Sequence, residues 1–323
     1  SLNYPEDSAG RIMSRDFVSI PDNWTVREAR QYLLNNEELP DDFYTIFLVD
    51  EKTLKPTGEI ALDKLLRAKG DEKLNSIMDG EIVPVDVYTD QEEVAHMFRE
   101  YGWMSAMVVD NKGRLIGVIN IDDVVEIVHE ETNEDMMLLT GAESNDVYRS
   151  VFSIFKSRSI WLVTNLFATI VAASVVGEFQ DIIAQLSILA VLMPIVASMG
   201  GTTGQQTLAV VVRSLATKEL NSRNALRMIG KEFMVGLCNG LLFAVMIGIA
   251  VRIWFPGQEM ISYIIALAML CNLTVASLAG ILIPLTINRL KIDPAIASGV
   301  FLIACTDSGG YFIFLGLAKL LLF

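Results

Sequence analysis

The chain has 323 residues, 52% of them hydrophobic, and a mean hydropathy of +0.43. That is too apolar for an ordinary soluble protein of this size. Residues 151–323 carry 7 acidic and 11 basic residues, which leaves 32 acidic and 14 basic, a net of −18, in residues 1–150. Such a field repels nucleic acid and anionic head groups and suits cations. The three cysteines, Cys238, Cys271 and Cys305, all fall in apolar segments and form no metal or disulfide spacing. The chain opens on a polar stretch with no secretory signal, like an internal starting point.

In chain order, residues 11–63 resemble residues 76–122, a repeat of about 60–65 residues. Arg11-Ile12-Met13 and Ser76-Ile77-Met78 open the two copies. A short strand follows, at 17–21 and at 82–85. An amphipathic helix is expected at 26–34 and at 92–101, a second strand at 46–50 and 106–110, and a third strand after a turn. An acidic helix start closes each copy, at Asp63 and at Asp122-Asp123. Short apolar strands alternating with helices give an α/β reading.

This pattern resembles a pair of CBS modules, most closely in VVDNKGRLIGVINIDDV at 108–124. CBS pairs regulate, often by binding adenine nucleotides or metal ions. Their nucleotide motif places Ser or Thr three residues after the last-strand Gly and Asp six after it. Module two has Gly117, Asn120 and Asp123, a partial match, and module one departs with Gly58, Ala61 and Lys64. ATP is therefore a secondary expectation, set against a structural dimerisation role.

The second half holds five apolar runs of spanning length, at 160–176, 183–212, 233–253, 261–287 and 294–323. The second and fifth contain glycine-rich breaks. Lys156, Arg158, Arg213, Lys218, Arg223, Arg227, Lys231, Arg289 and Lys291 flank one side of these runs; Glu178, Asp181 and Glu259 flank the other, with only Arg252 near. The basic side faces the cytosol. This puts the acidic half in the cytosol, in a plasma membrane, with the C-terminus outside. Asp293-Pro294 is a helix start with an N-cap carboxylate.

Two intramembrane features invite chemistry. A polar, glycine-rich stretch, 198–207, cannot face lipid, so it packs against protein or lines a wet path. Asp307 lies deep in the fifth run with no base near it in sequence, and an intramembrane carboxylate costs at least ~2.5 kcal/mol on insertion scales. It is read as functional, in a water-filled cavity with Thr306 and Ser308. One carboxylate coordinates a divalent ion weakly, and a two-fold dimer would bring two together. Magnesium keeps several waters, which suits a pore wide enough for a hydrated ion. The two histidines, His96 and His129, fall in the acidic half, and no catalytic arrangement appears in the bundle, so no enzyme is read.

Over nearly its whole length the chain resembles an MgtE-type magnesium transporter. The resemblance rests on YPEDSAGRIMS at 4–14, the CBS pair, MPIVASMGGTTGQQTLAVVVRSLAT at 193–217 and DPAIASGVFLIACTDSGGYFIFLGLA at 293–318. It implies a CBS-pair cytosolic domain (1–130), an acidic linker or plug helix (131–158) and an all-α membrane domain of five transmembrane helices (159–323). It further implies a homodimeric magnesium channel in lipid, with its pore on the dimer axis. The pore aspartate falls on Asp307, with Gly200, Gly201, Thr202, Thr203, Gln205 and Thr306 lining the path. Regulatory magnesium would sit at Glu92, Asp123, Glu126, Glu131, Glu134, Asp135 and Asp293.

Where the family reads Gly-Gly-Asn-Thr-Gly-Asn-Gln, this chain has Thr202 and Gln205 in place of the asparagines. This keeps open a broader divalent channel for manganese, cobalt or calcium. The sequence begins where the family's helical N-terminal domain ends, and a family sensor aspartate falls on Gly102. Both imply weaker gating by internal magnesium, and leave a non-conducting ion or nucleotide sensor as a third reading.

Overall fold

The computed structural model describes residues 4–40, 42–79, 82–142, 149–220 and 223–322, and not the side chain of Asp135. The chain divides into two compact units, Ser1–Thr132 and Asn133–Phe323.

The first unit contains α1 (Ala9–Ile12), β1 (Ser19–Pro21), α2 (Val26–Asn35), β2 (Thr45–Val49), β3 (Pro56–Ala61), α3 (Leu62–Arg67), α4 (Leu74–Ile77), β4 (Val85–Asp86), α5 (Gln91–Tyr101), β5 (Ser105–Val109), β6 (Leu115–Asn120) and the start of α6 (Ile121–Leu138). Local chemistry sets the helix ends. Thr25 and Glu28 form a reciprocal capping box on α2. Asp90 caps α5, and Gly102 closes it at φ 67°, a left-handed conformation that glycine adopts freely.

The strands form two three-stranded sheets, β1-β2-β3 and β4-β5-β6. In each, the first pair is parallel and the second antiparallel, and the register slips at the same place, between Leu48 and Val49 and between Val108 and Val109. The sequence repeat is thus a structural repeat down to its irregularity. Phe47, Met107 and Val118 pack together at a seam joining the two sheets' residues.

The opening segments of the two copies cross over. Ser14 exchanges backbone hydrogen bonds with Val118 of the second sheet, at 2.8 and 2.9 Å. Asp79 does the same with Glu59 of the first, at 2.9 and 3.2 Å. The sequence grouping assigned each opening to the copy it precedes. Edge strands β6 and β3 have backbone groups to satisfy, and the exchanged segments cover them.

The second unit is helical: α7 (Val151–Gly177), α8 (Gln180–Gln185), α9 (Ile188–Ala216), α10 (Ala225–Trp254), α11 (Glu259–Arg289) and α12 (Pro294–Leu322). Five of these are long and apolar enough to cross a membrane. α7, α10 and α11 extend past the apolar runs into polar flanks, while α12 keeps to its run. The second span is an exception, starting at Ile188 rather than 183, because Ile182 and Ile183 belong to the separate short helix α8. The expected glycine-rich breaks are absent from the described backbone: α9 and α12 are continuous helices. Without water in the bilayer, an intact helix satisfies the backbone best. α11 is the most enclosed span and packs against α9, α10 and α12.

Candidate functional site in the helical unit

α9 has two faces. On one, Gly200 lies against the Asn272 side chain of α11, and a methyl group on Gly204 would stand 2.9 Å from Leu302 of α12. These glycines let α9 approach its neighbours closely. On the other, Ser198, Thr202 and Gln205 are exposed at helical spacing. Thr202 and Thr203 turn their hydroxyls back to the carbonyls of Ser198 and Met199, each at 2.9 Å. Thr203 is buried and Gly201 is partly covered.

The second motif meets the first. A Cβ on Gly201 would stand 4.0 Å from Thr306 Oγ1. Thr306 is 2% exposed and donates to the carbonyls of Leu302 and Ile303. Asp307 is half-buried, and among the described residues its carboxylate has no hydrogen bond or ion pair. The neighbouring Ser308 hydroxyl is buried without a partner, and the space beside Gly309 is open. At the start of α12, Asp293 is exposed and accepts from Ala295 N at 2.8 Å, the expected cap.

Sequence reasoning passed over three groups. Asn272, 1% exposed, donates from Nδ2 to the Val196 carbonyl at 2.7 Å. Glu232 accepts from Thr207 Oγ1 at 2.9 Å, and Thr207 lies 3.4 Å from the Ser277 hydroxyl. An Asn and a Ser inside an apolar run, and a Glu at the edge of one, are the signals that could have marked them.

In the α/β unit, Asn120 and Asp123 come together. Asp123 accepts from Asn120 N at 3.3 Å, while Asn120 Oδ1 accepts from Ser105 at 2.7 Å. Burial pushes the Asp123 carboxyl above its usual range; the Asn120 N–H opposes this, and Asp122 and Glu126 add to it. Gly117 packs on Met13 and the Ser14 carbonyl. In module one the corresponding late position, Lys64, is paired with Asp79 at 2.8 Å.

Glu131 accepts from Gln91 Nε2 at 2.6 Å, beside Glu92 at the start of α5. Glu126 and Glu134 stand exposed along α6, and the Asp135 side chain is outside the described residues. Three or more His, Cys, Asp or Glu side chains converge on no metal position among the described residues. Most of the acidic set is strung along α6, with Glu92 on α5 and Asp293 ahead of α12.

Comparison with known proteins decides the family. A CBS model matches residues 9–71 and 74–130, and the MgtE model, described as a divalent cation transporter, matches 193–317. The magnesium transporter MgtE of Enterococcus faecalis is 33% identical over 319 residues, covering 99% of this chain and 70% of that protein. The MgtE of Bacillus subtilis is 30% identical over 318 residues, with 98% and 70% covered. The chain belongs to the MgtE magnesium transporter family.

A solved cytosolic domain of the Mg2+ channel MgtE in complex with ATP is 35% identical, with a TM-score of 0.37, covering 38% of this chain and 50% of that one. As an MgtE-family chain, this protein is a membrane protein built from a CBS pair and a five-helix bundle, and is a transporter rather than an enzyme. The glycine-rich stretch of α9 and the Asp307 segment of α12 both lie within the matched MgtE region.

Proposed function

We propose that this chain forms a homodimeric channel for magnesium uptake, with Asp307 of each copy at the pore. One observation carries the reading: Gly201 of α9 stands beside Thr306 of α12, next to a carboxylate that has no hydrogen bond or ion pair among the described residues. The exposed row Ser198, Thr202 and Gln205 supports it, since polar side chains at membrane depth need protein or water opposite them. A second copy across a two-fold axis supplies both and doubles the carboxylates around a hydrated ion. Gly200, Gly201, Thr202, Thr203, Gln205 and Thr306 then border the path.

The domains are a CBS pair (1–130), an acidic linker (131–158) and the pore bundle (159–323). The cytosol lies on the side of Arg213, Arg223, Arg227, Lys231, Arg289 and Lys291. On the opposite side Arg252 is held by Glu259 at 2.7 Å, which offsets the one base near that loop.

Regulatory magnesium binds the carboxylates of α6, with Glu92 and Asp293. Carboxylates spread along one helix repel until cations bridge them to a facing surface, so ion occupancy biases two packings. The raised Asp123 shows how crowding and burial already disfavour charge there. ATP, if bound, takes module two at Gly117, Asn120 and Asp123, because Lys64 and its ion pair fill the equivalent place in module one.

The test is magnesium flux into liposomes holding the purified chain. Asp307→Ala and Asp307→Asn are each expected to lower flux by more than about tenfold, the scale of about 1.4 kcal/mol or more in a barrier. Unchanged flux in both defeats the channel reading, and no flux in the parent chain favours a sensor. The broader divalent channel is favoured by Thr202, whose hydroxyl is turned back to its own helix. It predicts that manganese or calcium competes with magnesium at comparable concentration.

A further inference from the structure

A cavity of about 890 Å³ lies between α7, as far along as Val171, and the start of α12, with Leu138, Gly141 and Ala142 also lining it. This is near the upper end of the range for small-molecule sites, ~300–1,000 Å³. Its lining changes character along α7. Arg149, just ahead of α7, and the early positions Ser153 and Lys156 are polar or basic; the later ones, with those of α12, include Phe167, Val171 and Phe301. Arg149 donates to Ser153 Oγ at 2.8 Å. Lys156 has no hydrogen bond or ion pair among the described residues. From Lys156 to Val171 a helix rises about 22 Å, which runs from the bilayer edge past the middle of a ~30 Å hydrocarbon core.

We propose that this groove binds an anionic phospholipid, with its phosphate at Lys156 and one acyl chain along Phe167, Val171 and Phe301, Arg149 being already bonded to Ser153. The charge of the mouth argues for that occupant. A convex apolar surface accepts any lipid, but a recess with cations at head-group depth and apolar walls below selects a negative head. One Lys or Arg near the surface favours an anionic lipid about fivefold. The proposal depends on α7 spanning the membrane and not on which ion the protein carries.

Trp161 lines the same cavity and reports on it. Trp24 and Trp103 belong to the α/β unit, so only Trp254 needs replacing by Phe to leave one tryptophan within the spans. The Trp254→Phe chain is placed in phosphatidylcholine vesicles containing a minor fraction of brominated phosphatidylglycerol or brominated phosphatidylcholine. The expected result is Trp161 quenching that favours the anionic lipid about fivefold in relative association. Lys156→Gln, or a rise from low to high salt, should bring that ratio close to one. The salt arm stands if the variant fails to fold. Equal quenching by both lipids in the parent chain means ordinary solvating lipid and overturns the proposal. Absence of quenching by either means that protein covers the groove, which also overturns it, as does a preference that neither salt nor Lys156→Gln alters.

Discussion

The two units place their polar groups in opposite ways. In the α/β unit, two short sheets use the backbone groups, and most carboxylates stand at the surface in water. In the helical unit the backbone groups pair mainly within each helix, Pro194 and Pro284 aside, and the few polar side chains inside the bundle do specific jobs: Asn272 ties α11 to α9, and Thr207 ties α9 to Glu232 of α10. A polar group with no such job is conspicuous in the second unit and unremarkable in the first. This is why one carboxylate, Asp307, stands out more than the 32 acidic residues of the first half and is the centre of the proposed pore.

The contrast within the bundle is sharpest between two glycines. Gly200 is pressed against Asn272, while the place beside Gly309 is open. Gly200→Leu should therefore separate α9 from α11, at a cost of about 3 kcal/mol or more. It is expected to lower the melting temperature in detergent markedly and to remove the sharp peak in size-exclusion chromatography. Gly309→Ala should leave both unchanged. Equal effects from the two would mean that close approach of α9 and α11 is not what holds the bundle.

A smaller effect is expected at Asn272. Its amide is a second donor to a carbonyl on a neighbouring helix, and bonds of this kind inside membranes are worth about 0.6–2 kcal/mol. Asn272→Ala should lower the melting temperature modestly and leave the chain assembled. A loss as large as that of Gly200→Leu would show that Asn272 has a further partner.

How much of this was legible in the sequence differs between the units for a physical reason. Apart from β4, which starts at Val85 rather than 82, the strands and the helices α2 and α5 fell within a residue or two of expectation, because period and caps are local. The crossing of the opening segments was not legible, because the bond of Ser14 to Val118 joins residues far apart in the chain. In the bundle the number of spans followed from apolar length. The separate helix α8 was hidden because Ile182 and Ile183 look like the start of a span. Asp307 could be singled out because a charge in an apolar run is rare. Asn272 gave a fainter signal, because an uncharged amide disturbs the hydropathy of α11 little, and the contact with Val196 is what reveals its use.

The smallest expected effect returns to the α/β unit and tests whether its carboxylates are as free of internal cost as their surface positions suggest. Glu59 on β3, like Asp123, is an exception. Burial raises its carboxyl above the usual 4.5, and the nearby Asp79 adds to the rise. The folded state therefore binds this proton more tightly than the unfolded chain does. Ionised Glu59 costs stability above its folded value; the cost shrinks as pH falls through that value and is gone below about 4.5. Glu59→Gln removes the charge and keeps the shape. At pH 7 the amides of β2 and β3 should exchange hydrogen more slowly in the variant, by about threefold once solvent screening of this part-exposed group is allowed for. At pH 4 variant and parent should exchange alike. Slower exchange at both values would point to a hydrogen bond gained by the amide, and faster exchange at pH 7 would mean that the nearby Lys64, held by Asp79 at 2.8 Å, stabilises Glu59 more than burial opposes it.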